Sequence, residues 1–150
     1  MKEIYYVYNN EAISSCIFLS ILNRVETLEI ARSCLILPFL LDDRTLNHII
    51  NNEFTELNLE DMVREQPTIF VSFNKRFLSL LPVAINSLVL LNKSKQIKIA
   101  QSITNNKPMN LEEQDLGDRF NKINKAIPIF LSMIEDYSTA QLYKILNVQL

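Results

Sequence analysis

The stretch Ser33–Asp43, SCLILPFLLDD, decides how the chain is read. Between Leu35 and Leu41 every residue except Pro38 is a large hydrophobe. Such a run can cross a membrane, fill a core or form a surface for another protein. A membrane-spanning helix takes about 20 mostly apolar residues. This run is far shorter, and it is closed by Arg32 on one side and by Asp42, Asp43 and Arg44 on the other. Core or partner surface therefore remains. Pro38 has no N–H and clashes with the preceding turn, so a helix is expected to kink or end there.

Working outward, the whole chain can support a core. Its 150 residues suffice for one domain spanning 1–150, and a chain of this size buries roughly 70% of its unfolded surface. Hydrophobic residues make up 48% and charged residues 21%, which excludes a disordered tail. The net charge of -2 is too small to point to nucleic acid or anionic lipid. The opening MKEIYYVYNNE lacks the basic, apolar and small-residue order of a signal peptide. A cytoplasmic location without membrane contact is expected. The single glycine, Gly117, leaves no phosphate-cradling loop of the Walker A or Rossmann kind. An all-β fold would use more glycine in its turns. The fold class expected is mainly α, a single helical domain with a small β element.

Cap residues and apolar spacing place the elements. IYYVYNN reads as an extended lead-in, and Asn9 or Asn10 can cap a helix from about Glu11 to Arg24. Thr27 can cap a second helix through LEIARSCLIL. Asp42 or Asp43 starts a third, RTLNHIIN. Asn58 begins LEDMVRE, and Pro67 sits well as the first residue of a longer helix. Pro82 is expected to break that helix, which VAINSLVLLN then continues. Ile97, Ile99 and Ile103 in QIKIAQSI suggest a strand, followed by the turn-rich TNNKPMN. A winged-helix-like wing is plausible between about Gln96 and Ile103. Asn110 with Glu113 fits a capping-box variant for LEEQDLGDRFNKINKA, which runs to Pro128 and resumes as IFLSMIED. Ser138 with Gln141 is a Ser-x-x-Gln box opening TAQLYKIL.

Little in the chain suggests catalysis. His48 is the single histidine, and a zinc site needs three or four ligands that one histidine and two scattered cysteines do not provide. Cys16 and Cys34 each sit in an apolar segment and read as small buried hydrophobes. The acid pairs Asp42–Asp43, Glu60–Asp61 and Glu112–Glu113 flank helix starts, where the macrodipole favours carboxylates; Glu135–Asp136 reads as a solvated turn. We expect no enzyme, no metal and no cofactor. Lys93, Lys95 and Lys98, beside the wing, are the candidate contacts to DNA phosphate, with a soluble turn as the plainer reading. The terminal YSTAQLYKILNVQL carries Leu142, Ile145 and Leu146 on one side, with Val148 and Leu150 beyond. So apolar an end is expected to dock, either on its own core or in a partner's groove.

Four stretches carry a family resemblance: YVYNNEAISSCIFLSIL, LEIARSCLILPFLLDDRTLNHI, FVSFNKRFLSLLPVAINSLVLLNKSKQIKI and NKAIPIFLSMIEDYSTAQLYKILNVQL. In their order they resemble the middle component of three-component ABC systems. That component is the small accessory subunit encoded with an SMC-like or Rad50-like ATPase and an effector in bacterial defence loci, Lamassu among them. Asn147 stands where glycine is common in the family, a mild change because Asn also adopts the left-handed conformation. The resemblance implies a non-catalytic adaptor that couples an SMC-like ABC ATPase to an effector, often a nuclease, in anti-phage or anti-plasmid defence. DNA would be reached mainly through the complex. Candidate partner contacts are Asn10, Glu11, Pro38, Phe39, Leu142, Leu146 and Val148. The alternative is a stand-alone winged-helix DNA-binding regulator. That reading needs a basic recognition helix, whereas the helices flanking the wing are apolar and acidic.

Overall fold

A computed structural model describes residues 9–112 and 114–149. The extended lead-in expected over residues 4–8, the Glu113 half of the Asn110 box and the terminal Leu150 lie outside the described residues. The described chain is mainly helical with one small antiparallel sheet. In chain order the helices are α1 (Glu11–Leu22), α2 (Ile30–Ser33), α3 (Ile36–Leu40), α4 (Asp43–Asn51), α5 (Leu59–Glu65), α6 (Pro67–Phe70), α7 (Phe73–Lys93), α8 (Asp118–Ile134) and α9 (Thr139–Ile145). The strands are β1 (Leu28–Glu29), β2 (Ile97–Ile99) and β3 (Ser102–Asn105), ordered β1-β3-β2.

Short amides and hydroxyls start several of these helices because they satisfy orphan backbone N–H groups. Asn10 Oδ1 accepts from the N–H of Ala12 at 3.0 Å and of Ile13 at 3.3 Å. Asp42 Oδ2 accepts from the N–H of Thr45, and Asn58 Oδ1 from those of Glu60 and Asp61. Ser138 and Gln141 form the reciprocal capping box. Helix ends are closed without glycine. After α7 the residue at φ 63° is Lys95, and after α9 the residue at φ 54° is Asn147. In both, the N–H groups of that residue and of the one after it fold back on the last turn, as with Asn147 N–H to the Lys144 carbonyl and Val148 N–H to the Tyr143 carbonyl.

Several sequence expectations are corrected. Thr27 does not cap a helix; Leu28 and Glu29 instead pair with Ile103 and Ser102 as an edge strand. Pro38 does not end a helix. The break falls at Cys34 and Leu35, and Pro38 is the third residue of α3, where an N–H has no intrahelical partner to lose. Pro82 and Pro128 lie inside the continuous helices α7 and α8. Pro67 opens only the short α6. The last long helix begins at Asp118, after Gly117 at φ 90°, rather than at Leu111. The predicted strand is a hairpin, β2–β3, with Lys98 opposite Thr104.

The run that opened the sequence reading fills the core. Leu35, Ile36, Leu37, Phe39 and Leu40 are almost fully buried. Phe39 is an aromatic hub, with ring centroids 4.9 Å from Phe73, 5.1 Å from Phe130 and 6.0 Å from Phe70. Helix α1 packs against both α7 and α8, and α3 against α4, α7 and α8. Arg76 braces this centre. Its guanidinium donates to the carbonyls of Pro38 and Ile69 and to Ser72 Oγ, lies 3.8 Å from Asp42 and rests over the Phe73 ring. Helix α7 is long and apolar enough to span a membrane by length and composition; here Phe73, Phe77, Leu80, Ala84, Leu88 and Leu91 are committed to the core.

Candidate partner-binding surface

Most of the candidate partner residues face inward. Pro38 is buried within α3. Phe39 and Leu142 are each 1% exposed and Leu146 is 3% exposed, so none can touch another chain without opening the fold. The C-terminal helix docks on its own core, the first of the two dockings expected. Arg32 Nε donates to Thr139 Oγ1 at 3.0 Å, and the same guanidinium donates to the Tyr137 carbonyl. Tyr143 donates its hydroxyl to the Ala31 carbonyl and packs edge-on against Phe77. Burial, and secondarily the neighbouring Cys34, pushes the Tyr143 hydroxyl up to about 12, which keeps it a donor. Val148 is half-buried beside the core, and the Gln149 N–H donates to Asn74 Oδ1.

Asn10 and Glu11 have structural work. Besides capping by Asn10, Glu11 accepts a hydrogen bond from Asn86 Nδ2 at 3.2 Å, tying α1 to α7. His48 is half-buried in the last turn of α4, and its carbonyl accepts from Asn52 Nδ2. Cys16 and Cys34 are free and half-buried rather than buried, and desolvation raises both thiols. Among the described residues no three His, Cys, Asp or Glu side chains are grouped so as to hold a metal ion.

Two regions of the described surface bear on binding. One is a cleft of about 880 Å³ lined by Glu53, Glu56, Asp61, Glu135 and Asp136 together with Leu57, Ile129 and Met133. The other is the outward side of α7 with the β2–β3 hairpin. From Phe73 to Asn110 the chain has Lys75, Arg76, Lys93, Lys95, Lys98 and Lys107, and no Asp or Glu. Lys93, Lys95 and Lys98 are exposed where α7 passes into the hairpin. Leu78 and Ile85 are each 48% exposed, Val89 is 42% exposed and Leu90 is 55% exposed on the same helix. Sequence reading missed these four. Their signal was present, since α7 holds more large hydrophobes than one buried stripe uses.

This geometry is that of a dense helical core with an apolar strip and basic residues left on its surface. Residues 2–150 match the family model described as ABC-three component (ABC-3C) system Middle Component 3, and the chain belongs to that family. No curated protein and no solved structure matches it.

Proposed function

We propose that this protein is the accessory subunit through which the ABC ATPase of a three-component system is coupled to an effector. The observation that carries the reading is the family match over residues 2–150. The surface supports it: on α7 an apolar helix face stays in water. At the finer level, the ATPase is SMC-like, the effector is of the nuclease kind, and the system is a Lamassu-like antiviral defence acting in the cytoplasm. Partner contacts fall on the outside of α7 and around Asn10, Glu11 and Val148. DNA is met mainly through the complex, with Lys93, Lys95 and Lys98 as the phosphate contacts of this subunit.

Reconstitution tests the coupling. The purified chain alone should neither hydrolyse ATP nor cut DNA, and the effector's response to the ATPase should require its presence. Turnover by the pure chain, abolished by a point substitution within it, would overturn the proposal.

A further inference from the structure

We propose that the outward side of α7 docks a helix of a partner protein, one with its own apolar seam at alternating four- and three-residue spacing and with acidic residues along its edges. The inference rests on reading this chain as a subunit of an assembly, and it adds which face is used and what chemistry fits it.

Spacing is the first support. Leu78, Pro82, Ile85 and Val89 follow one another at intervals of four, three and four residues. At 3.6 residues per turn they fall within an arc of about 60°. All four are exposed, and they lie roughly opposite the buried stripe of Phe73, Phe77, Leu80, Ala84, Leu88 and Leu91. Leu90, 55% exposed, stands apart from the strip on the far side of Ser79 and Asn86. A strip this narrow is the seam of helix-on-helix packing. A helix lying in a membrane interface presents a much wider apolar face. Here Asn74 and Asn92 border one side of the seam, and Ser79 and Asn86 the other.

Charge selects the partner. Lys75 and Lys93 share one edge of the seam, 18 positions and so about 27 Å apart. The span from Phe73 to Asn110 contributes no carboxylate of its own, and Glu11 of α1, which meets this edge at Asn86, supplies a single one between the two lysines. A second copy of α7 laid antiparallel would set Lys75 against Lys93, and a parallel copy would set the lysine edge against the uncharged edge of Asn74 and Asn92. The first is repulsive and the second gains no charge pairing, whereas an acid-edged helix is attracted and held in register. Pro82 adds a fixed mark: lacking an N–H, it leaves the Leu78 carbonyl without its α-helical donor in the middle of the seam.

The test uses two synthetic helical peptides with the same Leu/Ile seam at four-three spacing, one edged with Glu and the other with Lys. Binding to the full chain is followed by fluorescence anisotropy, with vesicles of equal parts phosphatidylglycerol and phosphatidylcholine as the third probe. The Glu-edged peptide should bind saturably and at least about tenfold more tightly than the Lys-edged one. Leu78→Glu with Ile85→Glu should abolish that binding, and Lys75→Glu with Lys93→Glu should reverse the preference. Both pairs are exposed, and circular dichroism verifies that the variants stay helical. The proposal is overturned if the Glu-edged peptide does not bind, if the two peptides bind equally, or if the seam variant binds as well as the parent chain. It is equally overturned if only vesicles bind, or if the chain pairs with itself through this face. Because the assay needs neither ATPase nor effector, its failure leaves the accessory-subunit reading standing.

Discussion

Two apolar runs, each with a proline, meet opposite fates in this molecule. Leu35–Leu41 is buried throughout, and its Pro38 sits in the first turn of α3 with its carbonyl held by Arg76. Helix α7 is as rich in Leu, Ile and Val, yet it buries one side and leaves Leu78, Pro82, Ile85 and Val89 in water. The difference lies in surroundings rather than composition. The first run is enclosed by α4, α7 and α8, whereas α7 meets α1, α3, α6 and β2 and still leaves a strip of its surface exposed. Hydrophobic density identifies a helix worth burying; the packing of its neighbours decides which side is used for the fold and which is left for something else.

That contrast can be broken by substitution, and the largest effect should come from the docked C-terminus. Leu142→Asp with Leu146→Asp places two carboxylates among core side chains without partners. Cooperative thermal unfolding should vanish; a folded double variant would show that α9 does not belong to the core. Phe39→Ala should cost about 3–5 kcal/mol in denaturant unfolding, because Phe70, Phe73 and Phe130 cannot close over the void. Less than about 1 kcal/mol would mean the hub is not packed as described.

The prolines give the sharper comparison. Pro82→Ala restores an N–H opposite the Leu78 carbonyl within α7, and chemical denaturation should show a gain of about 1–3 kcal/mol. Pro38→Ala restores no helical bond, since the third position of α3 has no acceptor to meet, so it should give no gain. Equal gains would refute the assignment of the two sites. The smallest effect belongs to the outer seam. Ile85→Ser should change stability by no more than about 0.5 kcal/mol, as expected for a surface position, and a large loss in the isolated chain would place that side chain inside the fold.

Much of the helical order was legible because its signals are local. Asn10, Asp42, Asn58 and Ser138 begin helices within a residue of where their chemistry says they should. Asn147 supplies the left-handed turn that glycine commonly gives after a helix. What depends on distant partners was not legible. Leu28 and Glu29 become a strand only because β3, more than seventy residues later, offers them an edge. Pro82 and Pro128 read as breaks because a proline's penalty is local, while the packing that overrides it is tertiary. At the candidate surface, the lysines Lys93, Lys95 and Lys98 could be found from sequence and are exposed. Sequence left open whether Phe39, Leu142 and Leu146 face the core or a partner, and it showed a surplus of hydrophobes on α7 without saying that Leu78, Ile85 and Val89 are the ones turned outward. Both sets are simply apolar until the fold sorts them.

The most direct test of the accessory-subunit reading is co-expression of this chain with the ATPase and effector of its own system, purified through a tag on the ATPase and measured by size exclusion with light scattering. The expected result is a single peak containing this chain in fixed proportion to the ATPase. The contradictory result is this chain folded, present in the lysate and eluting alone at its own mass while the other two components assemble without it.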